Sequence, residues 1–474
     1  MSAKPSGTNV EGDAPVAESV VETDEATITD DAELERTLGL AGGLAIGIGT
    51  MIGAGIFVFP GLAGAEVGTA AMASFALSGV IALLVALPTS ELATAMPKSG
   101  GGYYFISRGL GTLAGTVVGL SLWLGLVFAT AFYLVGLGFY ALDALAVVGI
   151  SIGANPGGIV SVLAVASGAG FTVLNLTGTE NAAKLQNGIV ALLLSMLVAF
   201  LAFGLLDVFG VVGAEATGGT ENDRWAALPI LSTSALVFTS YLGFAQVATV
   251  AGEIKRPGRN LPLAMIGSVL IVTVMYVLTI LVATSVFTRE QLGAFGETAM
   301  VEIGRELLGV GGALVIVLGG LLATMSSANA SILSTSRAIY GVSKDALLPR
   351  WAGRINLTYG TPHVALGMAG GPVIVLAATR EVQLLAEVAS FLHLIMYGLI
   401  CVALVAIRRD EPEWYDPDFR VPGGPVAPVV GAAASFGLIG FMNRLSIAVG
   451  AVLILAATGW YFYYARDVSL KGAL

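Results

Sequence analysis

Cysteine, histidine and charge are all scarce in this chain of 474 residues. The one cysteine, Cys401, excludes an intramolecular disulfide and any cysteine-based metal cluster. Two histidines, His363 and His393, leave little from which to build a zinc site. Charged residues make up 11% of the chain, where an ordinary globular protein carries about 25%. Lysine is rarer than arginine, six against sixteen. No Gly-x-Ser-x-Gly elbow, His-Glu-x-x-His pair or phosphate-binding loop is present, so the common hydrolase, metalloprotease and nucleotide chemistries have no signature here.

What is present is apolar. Hydrophobic residues are 56% of the chain and the mean hydropathy is +0.87. Surface of that kind is hidden in lipid, which excludes a secreted scaffold, a nucleic-acid binder and a soluble multidomain enzyme. The net charge of −10 is concentrated at one end. Residues 1–36 hold ten acids against Lys4 and Arg36, a balance of −8; the remainder holds 22 acids and 20 bases, a balance of −2. Residues 1–36 are polar, acidic and free of aromatics, and are expected to form a disordered acidic cytoplasmic tail. They lack the basic start and early apolar core of a signal peptide.

A helix needs about 20 mostly apolar residues to cross the hydrocarbon layer. Twelve such runs are predicted, at about 38–60, 70–90, 112–140, 157–177, 184–206, 227–251, 262–286, 308–341, 363–380, 383–407, 424–443 and 445–465. Twelve crossings place both termini on one side, and basic residues say which. With the termini inside, the cytoplasmic segments hold 17 Lys and Arg and the external ones 5 (Arg224, Arg289, Arg305, Arg380 and Arg444), which sum to the full 22. Cytoplasmic loops retain basic residues, so both termini are expected in the cytoplasm of a multi-pass cell-membrane protein. A twelve-helix domain over 37–466 and a short cytoplasmic tail at 467–474 complete this division.

Irregular backbone survives inside a bilayer only where it packs on protein or lines a cavity. The first run reads Gly47-Ile48-Gly49-Thr50-Met51-Ile52-Gly53-Ala54-Gly55-Ile56-Phe57, four glycines in nine residues where 63 in 474 predict about 1.2. Two readings fit. Either the helix unwinds there, glycine being about 1 kcal/mol worse than alanine in a helix interior, or small residues at Gly49 and Gly53 let helices approach closely. A second interruption, Ser240-Tyr241-Leu242-Gly243-Phe244-Ala245-Gln246, falls about 190 residues later in the sixth run. Paired interruptions in two halves are the best sequence pointer to a transporter's binding site. The amides of a helix restarting at Gly53–Gly55 suit a carboxylate, and free carbonyls on the opposite stubs suit an ammonium. Such a pair reads the zwitterion common to α-amino acids. The same glycines superficially match a dinucleotide fingerprint, but no strand precedes them.

Four stretches are similar to the amino acid–polyamine–organocation superfamily of amino acid permeases. They are Gly49–Phe57; Glu91-Leu92-Ala93-Thr94-Ala95-Met96-Pro97-Lys98-Ser99-Gly100-Gly101-Gly102-Tyr103-Tyr104; Gly243-Phe244 with Gly252-Glu253-Ile254-Lys255-Arg256-Pro257 and Asn260-Leu261-Pro262; and Ser336-Arg337-Ala338-Ile339-Tyr340 with Lys344–Pro349. The resemblance spans the chain from about residue 38 onward. It implies an all-α integral membrane fold of twelve transmembrane helices, with helices 1 and 6 discontinuous: two inverted five-helix repeats in the LeuT-like arrangement (about 38–206 and 227–407) plus two further helices (about 424–465). It also implies a secondary active transporter importing an amino acid by alternating access, with an amino acid, the lipid bilayer and no nucleic acid as partners, and no cofactor beyond Na⁺ or proton coupling. By the same resemblance, amides near Gly53, Ala54 and Gly55 take the substrate carboxylate and carbonyls of Met51, Thr239 and Leu242 take the ammonium. Gly243 and Phe244 wall the pocket and Ser331 faces it from helix 8.

Two departures sharpen these expectations. Relatives that carry cations have an acid just after the Gly-aromatic pair, where this chain has Ala245. A buried cation without a partner is costly, so neutral, and among them apolar, side chains are favoured over a cationic permease. Proton-coupled relatives place a lysine inside helix 5, where this chain reads Ala191-Leu192-Leu193-Leu194-Ser195 and Lys184 lies at the cytoplasmic end. Two options remain: Na⁺ held by Ser326, Ser327 and Ser331 with helix-1 carbonyls, or no ion and hence exchange or facilitated passage. The serines equally suit bonding back to their own helix. His393, inside the tenth run, is either a proton-linked switch or a hydrogen-bonded structural histidine, while Glu91, Lys98 and Arg108 read as cytoplasmic contacts. A non-transporting amino acid sensor on the same fold is the alternative of another class.

Overall fold

The computed structural model describes residues 36, 38–97, 100–150, 156–176, 182–211, 225–356 and 361–470, with side chains of 182–187 excepted. The acidic tail therefore lies outside the described residues, as do Lys98 and Arg224. All described residues fall within a single compact unit, Glu35–Leu474. Among them the structure is helical throughout, with two isolated β-bridges in place of any strand.

The helices follow the apolar runs. The first run is divided into α1 (Leu40–Met51) and α2 (Gly55–Val67). Then come α3 (Ala71–Ala95), the short α4 (Gly101–Leu110), the long α5 (Thr112–Val147), α6 (Pro156–Leu176) and α7 (Ala182–Val208). The sixth run holds α8 (Ala227–Val237), a 3₁₀ stretch over Phe238–Ala245 and the single turn α9 (Gln246–Thr249). After it lie α10 (Pro257–Val286), α11 (Arg289–Phe295), α12 (Ala299–Lys344), α13 (His363–Ala377), α14 (Val382–Asp410), α15 (Val426–Ile439) and α16 (Arg444–Trp460). Nine helical stretches among the described residues are long and apolar enough to cross a bilayer, and three shorter apolar helices accompany them, α1, α13 and α15. The eighth run begins earlier than its apolar content predicts. Residues Ala299–Leu308 form a helical segment that turns at Gly309, whose φ of 64° is open to glycine and strained for other residues.

In lipid, apolar side chains gain nothing by meeting one another, so packing and internal hydrogen bonds hold helices together. The centre is built on α5, which packs along α12 and α14, while α10 packs on α3 and α1. A buried aromatic group joins these layers: Phe75 stacks on Tyr276 at 4.8 Å, Tyr241 lies 5.7 Å from Tyr276, and Phe238 and Phe244 both pack on Tyr397.

Polar locks close the end where α3 and α14 meet the loops. Glu91, 0% exposed at the end of α3, accepts from Arg408 Nε (2.7 Å) and Nη2, from the Tyr415 hydroxyl and from the Val421 amide (2.6 Å). Asp345 accepts from Arg108 (2.8 Å) and from the Tyr103 hydroxyl (2.6 Å). Burial, followed by the bond to Asp345, pushes the Tyr103 phenol above its ordinary value, so it remains a donor. Glu91 and Arg108 are thus structural contacts, as their motif positions predict. At the same end, Leu38 pairs with the segment beyond α9: its amide donates to Glu253 O (2.9 Å) and its carbonyl accepts from the Lys255 amide (2.7 Å).

Candidate functional site

Helical winding stops at Ile52, whose ψ of 64° turns the chain away after its amide reaches Ile48 O at 2.8 Å. It resumes at Gly55, with Ala54 O accepting from Val58. Among the described residues no hydrogen bond engages the amides of Gly53, Ala54 or Gly55. Orphan N–H groups and the positive end of the helix dipole therefore coincide at the start of α2.

This junction lies against the 3₁₀ stretch. Thr50 Oγ1 donates to Gly243 O (3.0 Å) as well as to Ile46 O (2.6 Å) in its own helix. Approach is so close that a Cβ on Gly243 would sit 2.5 Å from Thr50 Oγ1 and 2.6 Å from Met51 N. A Cβ on Gly53 would meet Ser327 Oγ at 2.6 Å and the Tyr133 ring at 3.4 Å. The two readings of the glycine-rich segment are therefore not exclusive: the backbone leaves the helical path and its glycines are also demanded by contact.

The carbonyls of the stubs are not bare. Met51 O accepts from the Tyr276 hydroxyl (3.0 Å) and Leu242 O from the Tyr397 hydroxyl (2.9 Å). The Thr239 side chain donates to Ala386 O (2.5 Å) and lies 2.6 Å from the Ser390 hydroxyl, which ties the 3₁₀ stretch to α14. A carbonyl oxygen has two lone pairs, so Met51 O keeps one acceptor site, whereas Leu242 O also lies within the i→i+3 ladder of the 3₁₀ stretch.

Beside the junction lies a cavity lined from α1 by Gly49 and Thr50, from α5 by Leu126, Ala129 and Tyr133, from the sixth run by Leu242, Gly243 and Gln246, from α12 by Ser327, Ala330, Ser331 and Ser334, and from α14 by His393. Its empty space is about 500 Å³ counting the open mouth, but the centre of a water molecule ranges over only about 50 Å³ of it. A pocket this narrow suits a small ligand.

Of the residues expected at the site, Leu242, Gly243, Ser327 and Ser331 line the cavity, and Gly53 adjoins it through Ser327 and Tyr133. Met51, Ala54 and Gly55 form the unwound junction behind it. Phe244 is fully buried against Tyr397, 5.0 Å between ring centres, outside the lining. The three serines differ: Ser331 accepts from Thr130 on α5 (2.8 Å), Ser326 is bonded elsewhere, and Ser327 Oγ is buried with no hydrogen-bond partner. Backbone bonding within the helix thus does not account for Ser327.

Sequence reasoning missed Tyr133, Gln246 and Ser334 as lining residues, and it left His393 between two roles. Their only advance signal was a polar group inside an apolar run. Glu387, also in α14, is buried and satisfied by Gln383 (2.8 Å) and the Asn443 amide (2.9 Å), away from the cavity.

A polytopic helical membrane protein with an interrupted segment from each half meeting at a small buried cavity has the build of a carrier. The chain belongs to the amino acid permease family, whose profile matches residues 38–467. It is similar over most of its length to a branched-chain amino acid permease of Bacillus subtilis, 27% identical over 463 residues that cover 94% of this chain and 96% of the relative. It is likewise similar to a methylthioribose transporter of the same organism, 26% identical over 92% of this chain and 95% of the relative. A serine/threonine exchanger, also of Bacillus subtilis, is 25% identical over 92% of this chain and 98% of the relative. The chain is a transporter-family protein and not an enzyme, and amino acid permeases of this family work without a cofactor.

Proposed function

We propose that this protein is a secondary transporter that carries a neutral amino acid across the cell membrane by alternating access. The observation that carries the reading is the junction itself: unengaged amides of Gly53, Ala54 and Gly55 beside a cavity walled by Leu242 and Gly243. The amides receive the substrate carboxylate, and the carbonyls of Met51, Thr239 and Leu242 receive the ammonium. In this reading twelve spans form two inverted five-helix repeats and two further helices, α1 with α2 is the broken first span, and α8 to α9 is the broken sixth. Both termini lie in the cytoplasm, and the cavity sits on the cytoplasmic side of the breaks.

Neutrality follows from the lining. No acid is among the described residues that line the cavity, and Ala245 occupies the position where, by the resemblance, cation-carrying relatives have an acid. A cationic side chain there would stay unpaired, which costs several kcal/mol. The decisive test is uptake of radiolabelled neutral, cationic and acidic amino acids into proteoliposomes, with Na⁺ and the pH gradient varied separately. Neutral amino acids are expected to enter; dominant arginine or lysine uptake overturns the reading. Acceleration of uptake by internal amino acid assigns exchange, and binding without flux assigns a sensor.

Ser327 supplies an independent check. Its buried hydroxyl has no hydrogen-bond partner among the described residues, and an unmet buried group of that kind costs about 1–3 kcal/mol. Ser327→Ala is therefore expected to raise the melting temperature of the ligand-free protein in detergent while lowering its uptake. If Na⁺ is the missing partner, the Na⁺ dependence of uptake falls with it. A lower melting temperature with unchanged uptake would show that the hydroxyl serves packing alone.

A further inference from the structure

We infer that His393 reads the substrate side chain, and that the neutral amino acid carried is a small one bearing a hydroxyl. This rests on the cavity being the substrate site, as proposed above, and adds which neutral substrate fits it.

The ring is fixed on one edge. His393 Nδ1 lies 2.8 Å from Ala389 O, one helical turn back along α14. A carbonyl only accepts, so Nδ1 carries the proton and the neutral ring is left with Nε2 as a pure acceptor. The same edge is seated on α5: a Cβ at Gly125 would come within 2.7 Å of His393 Cε1 and 2.8 Å of Nδ1, so only glycine lets the ring lie there. The residue is 3% exposed and yet lines the cavity. Among the described residues no group hydrogen-bonds Nε2, and it is not among the sealed polar atoms that lack a partner. It therefore meets the cavity space. A buried acceptor held rigid on one side and open on the other is complementary to a donor brought by the ligand.

The surroundings select among donors. Hydroxyls of Thr50, Ser327, Ser331 and Ser334 and the amide of Gln246 share the wall with His393, while Leu126, Ala129, Leu242 and Ala330 supply the apolar part. An ammonium or guanidinium is excluded by the missing counter-charge, and a large side chain by the narrow space. A hydroxyl on a short stem meets all three conditions. Ala245, taken alone, favours apolar substrates because it removes a charge; it carries no information about hydroxyls, and His393 does.

Threonine and valine are nearly isosteric and differ in one hydroxyl, so they isolate the effect. A purely apolar pocket barely rejects an isostere that adds a hydroxyl, whereas a site built to bond that hydroxyl rejects the analogue lacking it. Uptake of both, and of serine and alanine, is measured as kcat/KM in proteoliposomes of the full chain. The wild type is expected to prefer threonine to valine, and serine to alanine, by at least about tenfold. His393→Leu should bring both ratios to near one, mainly by raising KM for serine and threonine more than for alanine and valine. His393→Gln, whose amide oxygen can stand near Nε2, should restore part of the preference. Equal wild-type handling of threonine and valine overturns the assignment without any variant. A His393→Leu protein that loses all four substrates in proportion also overturns it, because then the ring only supports packing. Absence of any amino acid transport or binding by the wild type is a different failure, and removes the function proposed for the site.

Discussion

Gly243→Val is expected to reduce uptake to background in protein that still reaches the membrane, and Gly243→Ala to reduce it about tenfold or more. A side chain at Gly243 points at backbone: its Cβ would lie 2.6 Å from both Met51 N and Thr50 C, and 2.5 Å from Thr50 Oγ1. Flexible side chains yield to such a contact, but the end of α1 cannot yield without shifting the unwound junction. Overpacking of this kind costs about 1–3 kcal/mol, and each 1.36 kcal/mol added to the transport barrier slows it tenfold. The shift also breaks the Thr50–Gly243 bond and moves the cavity wall. Gly49→Ala is the internal control, because its new methyl meets only the Val190 side chain, at 2.9 Å, and should keep most of the activity. Initial uptake rates normalised to membrane protein decide the matter; wild-type rates in Gly243→Ala would mean that the two segments separate freely.

The second large effect is on stability. Arg408→Met removes the cation from Glu91, which is 0% exposed and keeps only the Tyr415 hydroxyl and the Val421 amide as donors. Breaking a buried pair from one side costs about 3–5 kcal/mol because the remaining charge is stranded. The melting temperature in detergent should fall sharply, and Glu91→Leu combined with Arg408→Met should recover most of the loss, since a buried pair replaced by apolar groups is close to neutral. If the double variant melts as low as the single one, the pair acts through something other than charge compensation.

Much of this architecture is legible in the sequence, and for particular reasons. Lipid demands long apolar runs, so α5, α10 and α14 announce themselves by composition. Glycine density draws attention to the segment around Ile52–Ala54, although four glycines in nine residues suit close helix packing as well as an interruption. The start of α12 is less legible: Ala299–Leu308 carries Glu302, Arg305 and Glu306, so hydropathy begins the helix only after Gly309. The finer chemistry of the site is not local at all. Tyr276 caps Met51 across 225 positions, Tyr397 caps Leu242 across 155, and Arg408 reaches Glu91 across 317. No periodicity encodes such pairings. The family resemblance points to the Met51 and Leu242 carbonyls, but not to the phenols that bond them. His393 shows the same limit, because whether an intramembrane histidine is sealed or faces a cavity depends on Gly125, a residue of another helix.

The backbone pairing of Leu38 with Glu253 and Lys255 has a mechanical consequence. It splices the segment before α1 to the segment beyond α9, so a shift of either is carried to the other, and severing that splice would let them part company.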